Sequence, residues 1–393
     1  MKILITTDVF KPVVNGVVTS VLILYEQLKK QGHDVRILTL SNDRWSRKEK
    51  DVYYIGALPA FLYPNARMTV RIGHRYIEEL INWQPDIIHT QTEFSTYFFA
   101  RRIAKKLNIP IVHTYHTMYE DYAHYFIKSR KLGRICVAAY SRMLLSKTQA
   151  VVTPTQKVQN VLRNYGVKKE MFRIPTGIQL GRFSKPLSDE QRLELKKSLG
   201  IGEKDSILLS VGRLGKEKNI QELIGFMARL RDRNIAVKLL IVGDGPYRKE
   251  LESEVHELGL EGTVIFTGMV PQERVPDYYH LGDIFVNASV SETQGLTYIE
   301  AMASGLPLLC RRDECLTNVI EQGENGFVYE NEGEFIEYVL KMIDDPSFSR
   351  QLRKNAEDKS MEFAAENFSA AIERAYRRVC CEYCPEQLDR TGA

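Results

Sequence analysis

The run Ser206-Ile207-Leu208-Leu209-Ser210-Val211-Gly212-Arg213-Leu214-Gly215-Lys216-Glu217-Lys218-Asn219 decides the fold. It opens as a short apolar strand, breaks at glycine, and leads into a helical pattern over residues 219–231. The same unit then repeats. Residues 237–243 read as a strand and 246–258 as a helix, and 263–267, 283–288 and 306–310 continue the series as strands. Pro246 suits the first turn of its helix, where a missing N–H costs nothing. Strand–helix alternation of this kind gives a parallel sheet with helices on both faces.

Upstream the pattern has already run once. Residues 2–8 form a short apolar run, 17–31 a helix closed by Gly32, and 35–40 the next strand, with 87–90, 110–113 and 150–154 as later strands. Between the two series lie residues 174–202, where Pro175, Gly177, Gly181 and Pro186 precede a charged stretch. The expected organisation is α/β, two doubly wound Rossmann-like domains facing each other across a cleft. The first spans residues 1–178 and the second 179–365, with a tail helix in 366–393 packing back on the first. A chain of 393 residues is too long for one ordinary core and suits two. Ligands of such sheets bind beyond the carboxyl ends of the strands, so function is expected in the loops that follow strands.

Composition removes other classes. With 44% hydrophobic and 26% charged residues the chain is globular rather than disordered or fibrous. No run of about 18 apolar residues is present, and the first residues read as a buried strand instead of a signal peptide, so a cytoplasmic protein is expected. Cys136, Cys310 and Cys315 are scattered, and Cys380, Cys381 and Cys384 crowd the tail as reduced thiols. Cys381 and Cys384 have metal-ligand spacing, but no second Cys or His pair completes a zinc site. Asn-x-Ser matches at Asn287 and Asn367 mean nothing in a chain that is not secreted. The net charge of +4 conceals a polarity: residues 1–175 hold 27 Lys and Arg against 13 Asp and Glu, whereas the remainder holds 27 against 37. One half is therefore built to meet something anionic.

Three loops carry candidate chemistry. Asn15-Gly16 precedes a helix whose N–H groups and partial positive charge suit a phosphate, though the pair also reads as a plain turn. Its surroundings are not G-x-G-x-x-G, which argues against a dinucleotide site. Arg213 and Lys218 flank Gly215 and would grip a diphosphate from two sides, as a fork and as a point charge; a solvated basic loop has the same composition. The third is Ser291-Glu292-Thr293-Gln294-Gly295-Leu296-Thr297-Tyr298-Ile299-Glu300. Here Gln294, Gly295, Leu296 and Thr297 present amides at a helix start, an anion site. Glu300, two turns inside an apolar face, needs a polar partner, and a ribose diol would serve. Glu292 at the mouth suits sugar hydroxyls.

Glu292 and Glu300, with seven residues between them, resemble the E-x7-E motif of the retaining glycosyltransferase family 4, whose fold is GT-B. The loops at Asn15-Gly16 and Arg213 to Lys218, and the turn Gly243-Asp244-Gly245-Pro246, match that family in order and position over essentially the whole chain. The segments at 89–95, 113–122 and 291–298 are most similar to bacterial diacylglycerol glucosyltransferases. The resemblance implies catalytic roles for His116, Glu292, Arg213 and Lys218. His116 would stand near the donor sugar's 6-position, and the two cations would neutralise the leaving diphosphate. Donor binding would use Gly16, Arg213, Lys218, Glu292, Gln294, Gly295, Leu296, Thr297 and Glu300, the last on the ribose. It also implies retention by same-face attack, UDP-glucose as donor and diacylglycerol as acceptor. No cofactor or metal is expected, for the chain has no Asp-x-Asp. Cys310-Arg311-Arg312-Asp313 departs from the family's smaller, less charged residues.

Residues 115–147 are the expected membrane contact, placing the protein peripherally on the inner face of the plasma membrane. They are dense in aromatics (Tyr115, Tyr119, Tyr122, Tyr125, Phe126, Tyr140) and end in a helix. One helical face holds Leu132, Ile135, Cys136, Ala139 and Met143, another Lys131, Arg134 and Arg142, which suits an anionic interface; a solvated domain surface has the same pattern. Another donor, or another acceptor such as phosphatidylinositol, a glycolipid or a cell-wall polymer, stays open at this level, with a nucleotide-sugar epimerase further behind. No nucleic-acid motif appears, so nucleic acid is not an expected partner.

Overall fold

The computed structural model describes residues 1–60, 67–69, 73–122 and 129–383. The chain divides into two compact units, Met1–Gly177 with Ala365–Ala393, and Ile178–Ala364.

In the first unit the strands are β1 (Lys2–Thr7), β2 (Asp34–Leu40), β3 (Arg47–Glu49), β4 (Val52–Ile55), β5 (Leu58–Pro59), β6 (Arg67–Met68), β7 (Ile87–Thr90), β8 (Ile111–Thr114), β9 (Ala150–Thr153) and β10 (Glu170–Arg173). Eight of them form one sheet in the order β10-β9-β8-β7-β1-β2-β4-β3, parallel except for β3 on β4; β5 and β6 pair separately. Ile3, Leu4 and Ile5 are all fully buried, because helices cover both faces. The two-residue period sorts them. Ile3 and Ile5 pack with the helix Gly16–Lys30 and with Phe368, Ile372, Tyr376 and Val379 of the tail helix Ala365–Tyr383. Leu4 packs on the opposite face with Tyr76, Leu80, Phe99 and Ile103.

The second unit holds β11 (Ser206–Val211), β12 (Val237–Val242), β13 (Val264–Gly268), β14 (Ile284–Asn287), β15 (Leu308–Arg311) and β16 (Gly326–Tyr329), all parallel in the order β13-β12-β11-β14-β15-β16. Leu208, Leu239 and Ile241 face the helices Ile220–Asp232 and Glu332–Asp344. Ile207, Leu209, Leu240 and Val242 face the helix Leu296–Ala303. Both sheets reverse strand order once, between β1 and β7 and between β11 and β14. Crevices in doubly wound sheets open at such points.

Two expectations need correction. The helix after β12 begins at Arg248, not at Pro246. Pro246 belongs to a turn whose Tyr247 amide is already given to the Leu214 carbonyl, at 3.0 Å. Glu300 stands only just over one turn inside its eight-residue helix, not two.

Candidate functional site

The loop after β11 is shaped by the loop after β12. Gly243 lies at φ +134°, and a Cβ there would sit 2.0 Å from the Gly212 carbonyl oxygen. Only glycine permits that approach. The Leu214 amide donates to the Asp244 carbonyl at 3.0 Å, which fixes the backbone between Arg213 and Lys218. A short 3₁₀ turn, Lys216–Lys218, and Asn219 in the left-handed region then lead into the helix Ile220–Asp232.

This geometry brings Lys218 onto Glu292, 74 residues on in sequence, as a short, half-buried ion pair. Arg213 instead rests on Glu217, its Nη2 donating to Oε1 at 2.5 Å. The unusual Arg311 explains itself here. Its Nη1 donates to both Glu222 oxygens at 2.8 Å, while Tyr329 Oη (3.0 Å) and Asn219 Nδ2 (2.9 Å) complete the carboxylate. Glu222, held by Arg311, thereby ties down Asn219, the residue that follows Lys218. Arg312 pairs outward with Glu330.

Beyond β14, Gly295 takes φ +76° as the residue before the helix Leu296–Ala303, and any Cβ would strike the Tyr298 ring at 2.3 Å. Gln294 is buried beside it. No acidic side chain occupies the first turn; the Tyr298 amide is given to the Gly295 carbonyl at 3.1 Å, and the amides of Leu296 and Thr297 precede the first intrahelical bond. The polar partner that Glu300 required is protein: Tyr279 Oη donates to Oε2 at 2.8 Å. Oε1 accepts nothing among the described residues. Burial pushes the Glu300 carboxyl upward, against a smaller downward pull from Tyr279 and then Arg182.

In the first unit, Asn15 is the N-cap of the helix Gly16–Lys30, its Oδ1 accepting from the Val18 amide at 2.9 Å; Asn15-Gly16 is a cap, not a plain turn. Gly16 is the exposed first residue of that helix. The loops after β7 and β8 carry a buried polar network. Asp8, raised by burial, accepts from Thr92 Oγ1 (2.6 Å) and the Thr96 amide (2.9 Å). Glu93 is 3% exposed and accepts from Tyr119 Oη, with His113 Nε2 at 3.2 Å. His116 Nε2 lies 2.7 Å from Gln91 Oε1. Burial, then the neighbouring His113, pushes the imidazole of His116 down to about 3, so it is neutral at physiological pH. Sequence reasoning gave no role to Asp8, Gln91 or Glu93, and placed Tyr119 among the aromatics of the membrane contact, not in this network. The signal of the first three was position alone: polar residues just after apolar strands.

The helix Arg130–Leu145 buries Gly133, Ser141, Leu144 and Leu145. Its outward side exposes Leu132 (52%), Ile135 (57%) and Met143 (60%) among exposed Lys131, Arg134 and Arg142. Arg134 Nε lies 3.4 Å from Glu120, and Arg142 Nη1 donates to the Tyr165 carbonyl at 3.3 Å. The Tyr122 side chain, Tyr125, Phe126 and Cys384 lie outside the described residues. Among the described residues no helix is long and apolar enough to cross a membrane.

Residues 14–182 match the family model described as Glycosyltransferase Family 4, and residues 191–359 the one described as Glycosyl transferases group 1. An alpha-monoglucosyldiacylglycerol synthase of Streptococcus pneumoniae is 37% identical over 96% of this chain and 85% of its own length. A second protein of that name, from Acholeplasma laidlawii, is 31% identical over 96% of both chains. Among solved structures, HepE from Anabaena in complex with UDP superposes with a TM-score of 0.75 at 19% identity, covering 96% of this chain and all of its own. Sucrose-phosphate synthase from Thermosynechococcus elongatus gives 0.76 at 21%, covering 97% and 99%. The paired strand-end loops, the E-x7-E helix and these likenesses agree: the chain belongs to glycosyltransferase family 4 and is a hexosyltransferase of the GT-B fold.

Proposed function

We propose that this chain transfers a glucosyl group from UDP-glucose to diacylglycerol, with retention, while bound peripherally to the cytoplasmic face of the plasma membrane. The observation that carries the acceptor is the helix Arg130–Leu145, which holds three large apolar side chains in solvent beside a face that carries three exposed cations. Such a face suits an anionic lipid surface. The names of the two synthases support the sugar and the lipid. The donor's diphosphate is taken by Arg213, Lys218 and the amides of Gln294 to Thr297, its ribose by Glu300, and its sugar by Glu292 and His116. No protein nucleophile and no bound metal take part; the cations that offset the leaving charge are side chains.

One assay matrix tests this: UDP- and GDP-sugars against diacylglycerol, glycolipid and lipid-free vesicles, with and without EDTA, scored by released nucleotide and labelled lipid. Activity confined to a GDP-sugar, or to a glycolipid acceptor, would overturn the assignment. His116→Ala is expected to lose turnover by about a hundredfold, the low end of what a positioned proton-handling side chain contributes. Because its imidazole is neutral, no limb of the pH profile near 6 should belong to it.

Glu300 yields a prediction with two opposite signs. A ribose contact is alike in ground and transition states, so Glu300→Ala should raise the donor KM and leave kcat nearly unchanged. The folded carboxyl titrates above its unfolded value, so the stability it contributes is complete below the unfolded pKa and is lost as pH rises through the folded one. Glu300→Gln should therefore raise Tm at neutral pH while weakening UDP binding. Unchanged nucleotide affinity in both variants would end the ribose assignment.

A further inference from the structure

Three histidines stand at the carboxyl ends of β7 and β8. His89 has both ring nitrogens partnered, Nδ1 by Tyr376 Oη at 2.6 Å and Nε2 by Thr114 Oγ1 at 2.7 Å. So has His113, by Thr90 Oγ1 at 2.7 Å and Glu93 Oε1 at 3.2 Å. His116 alone of the three has one: Nε2 meets Gln91 Oε1, and Nδ1 has no protein partner among the described residues. Gln91 is 1% exposed, and its backbone is pinned to β1 through a 2.8 Å bond from its amide to the Thr6 carbonyl. Its own Nε2 is buried without a partner.

An amide oxygen only accepts, so the His116 nitrogen facing it must carry the proton. The other nitrogen then holds a lone pair. We propose that Gln91 is a positioning residue that fixes His116 as the Nε2–H tautomer, so that Nδ1 accepts a hydrogen bond from a hydroxyl of the bound sugar. This rests on the reading that His116 meets the donor. It adds the reason this histidine acts as an acceptor, and names the residue that makes it one.

Nitrogen-15 spectra of histidine-labelled wild-type protein should show Nε2 protonated and Nδ1 bare at His116, a readout that needs no variant. Gln91→Met, of equal length but without the acceptor, should mix the two tautomers and lower kcat tenfold or more, with the donor KM changed less than threefold. Gln91→Glu keeps an oxygen at the same place and should recover most of the lost turnover. A protonated Nδ1 in the wild type, or Gln91→Met turning over within twofold of it, overturns the proposal. If Gln91→Met is active while His116→Ala is dead, only the role of Gln91 falls. If His116→Ala is fully active, the donor reading of His116 falls with it.

Discussion

Lys218→Ala is expected to lower kcat by about a hundredfold, and Arg213→Ala by a smaller factor. As the glycosidic bond breaks, charge grows on the diphosphate, and a preorganised cation aimed at it is worth about 3 kcal/mol. The two cations are not equally preorganised. Lys218 is already held at the mouth of the E-x7-E helix by Glu292, whereas Arg213 first has to leave Glu217. Removing Lys218 also leaves the Glu292 carboxylate, 15% exposed, without its cation. The pair should therefore behave as a unit, and Lys218→Ala combined with Glu292→Ala should cost about as much as the worse single change. Steady-state kinetics of the two single variants and the double variant decide it. Strictly multiplicative losses would mean that the residues act separately, and turnover within threefold of wild type would return Lys218 to a solvated loop.

Reversing Lys131, Arg134 and Arg142 to glutamate should weaken binding to anionic vesicles by more than a hundredfold. Each basic residue near such a surface contributes about 1 kcal/mol, and reversal replaces attraction by repulsion, so the total exceeds about 3 kcal/mol. The first unit carries the positive excess, 31 Lys and Arg against 18 Asp and Glu once its tail is included, so a background attraction remains. Wild-type activity should rise with anionic lipid content and fall with added salt, because screening reaches exposed charges first. UDP affinity should be nearly unchanged, since Lys218, Glu292 and Glu300 all belong to the acidic second unit. Vesicle sedimentation and nucleotide titration on the same protein separate the two effects. A triple variant that sediments like the wild type would make this helix ordinary surface.

What could be read from the sequence was what local chemistry writes into it. The central strands β1, β11 and β12 are covered on both faces and appear as mainly apolar runs, and β7 as a short apolar pair followed by His89 and Thr90. The strands that escaped notice include β3 (Arg47-Lys48-Glu49) and β10 (Glu170-Met171-Phe172-Arg173), polar or half-exposed pieces at the two edges of the first sheet. Their pairing comes from neighbours, not from their own pattern. Gly295 could be picked out because glycine before a helix has few other uses. The partners of the charged residues could not. Nothing in the spacing joins Lys218 to Glu292, Arg311 to Glu222 or Gln91 to His116, for those contacts are made by strand order and register. Arg311 stood out as a departure from the family, and its reason appeared only when Glu222 was found beside it.

The tail helix has a consequence for how the molecule comes into being. Residues Ile178–Ala364 form a continuous piece whose strands and helices are all present once that stretch has left the ribosome. The first unit, although its strands are made earlier, must wait: the face of Ile3 and Ile5 is closed by Phe368, Ile372 and Tyr376, which are translated after the whole second unit. His89 waits with it, since its Nδ1 partner is the Tyr376 hydroxyl. The amino-terminal half is thus the last to be completed. Until the tail arrives, a nascent chain displays apolar surface at its oldest end, the state in which chaperones and proteases find it.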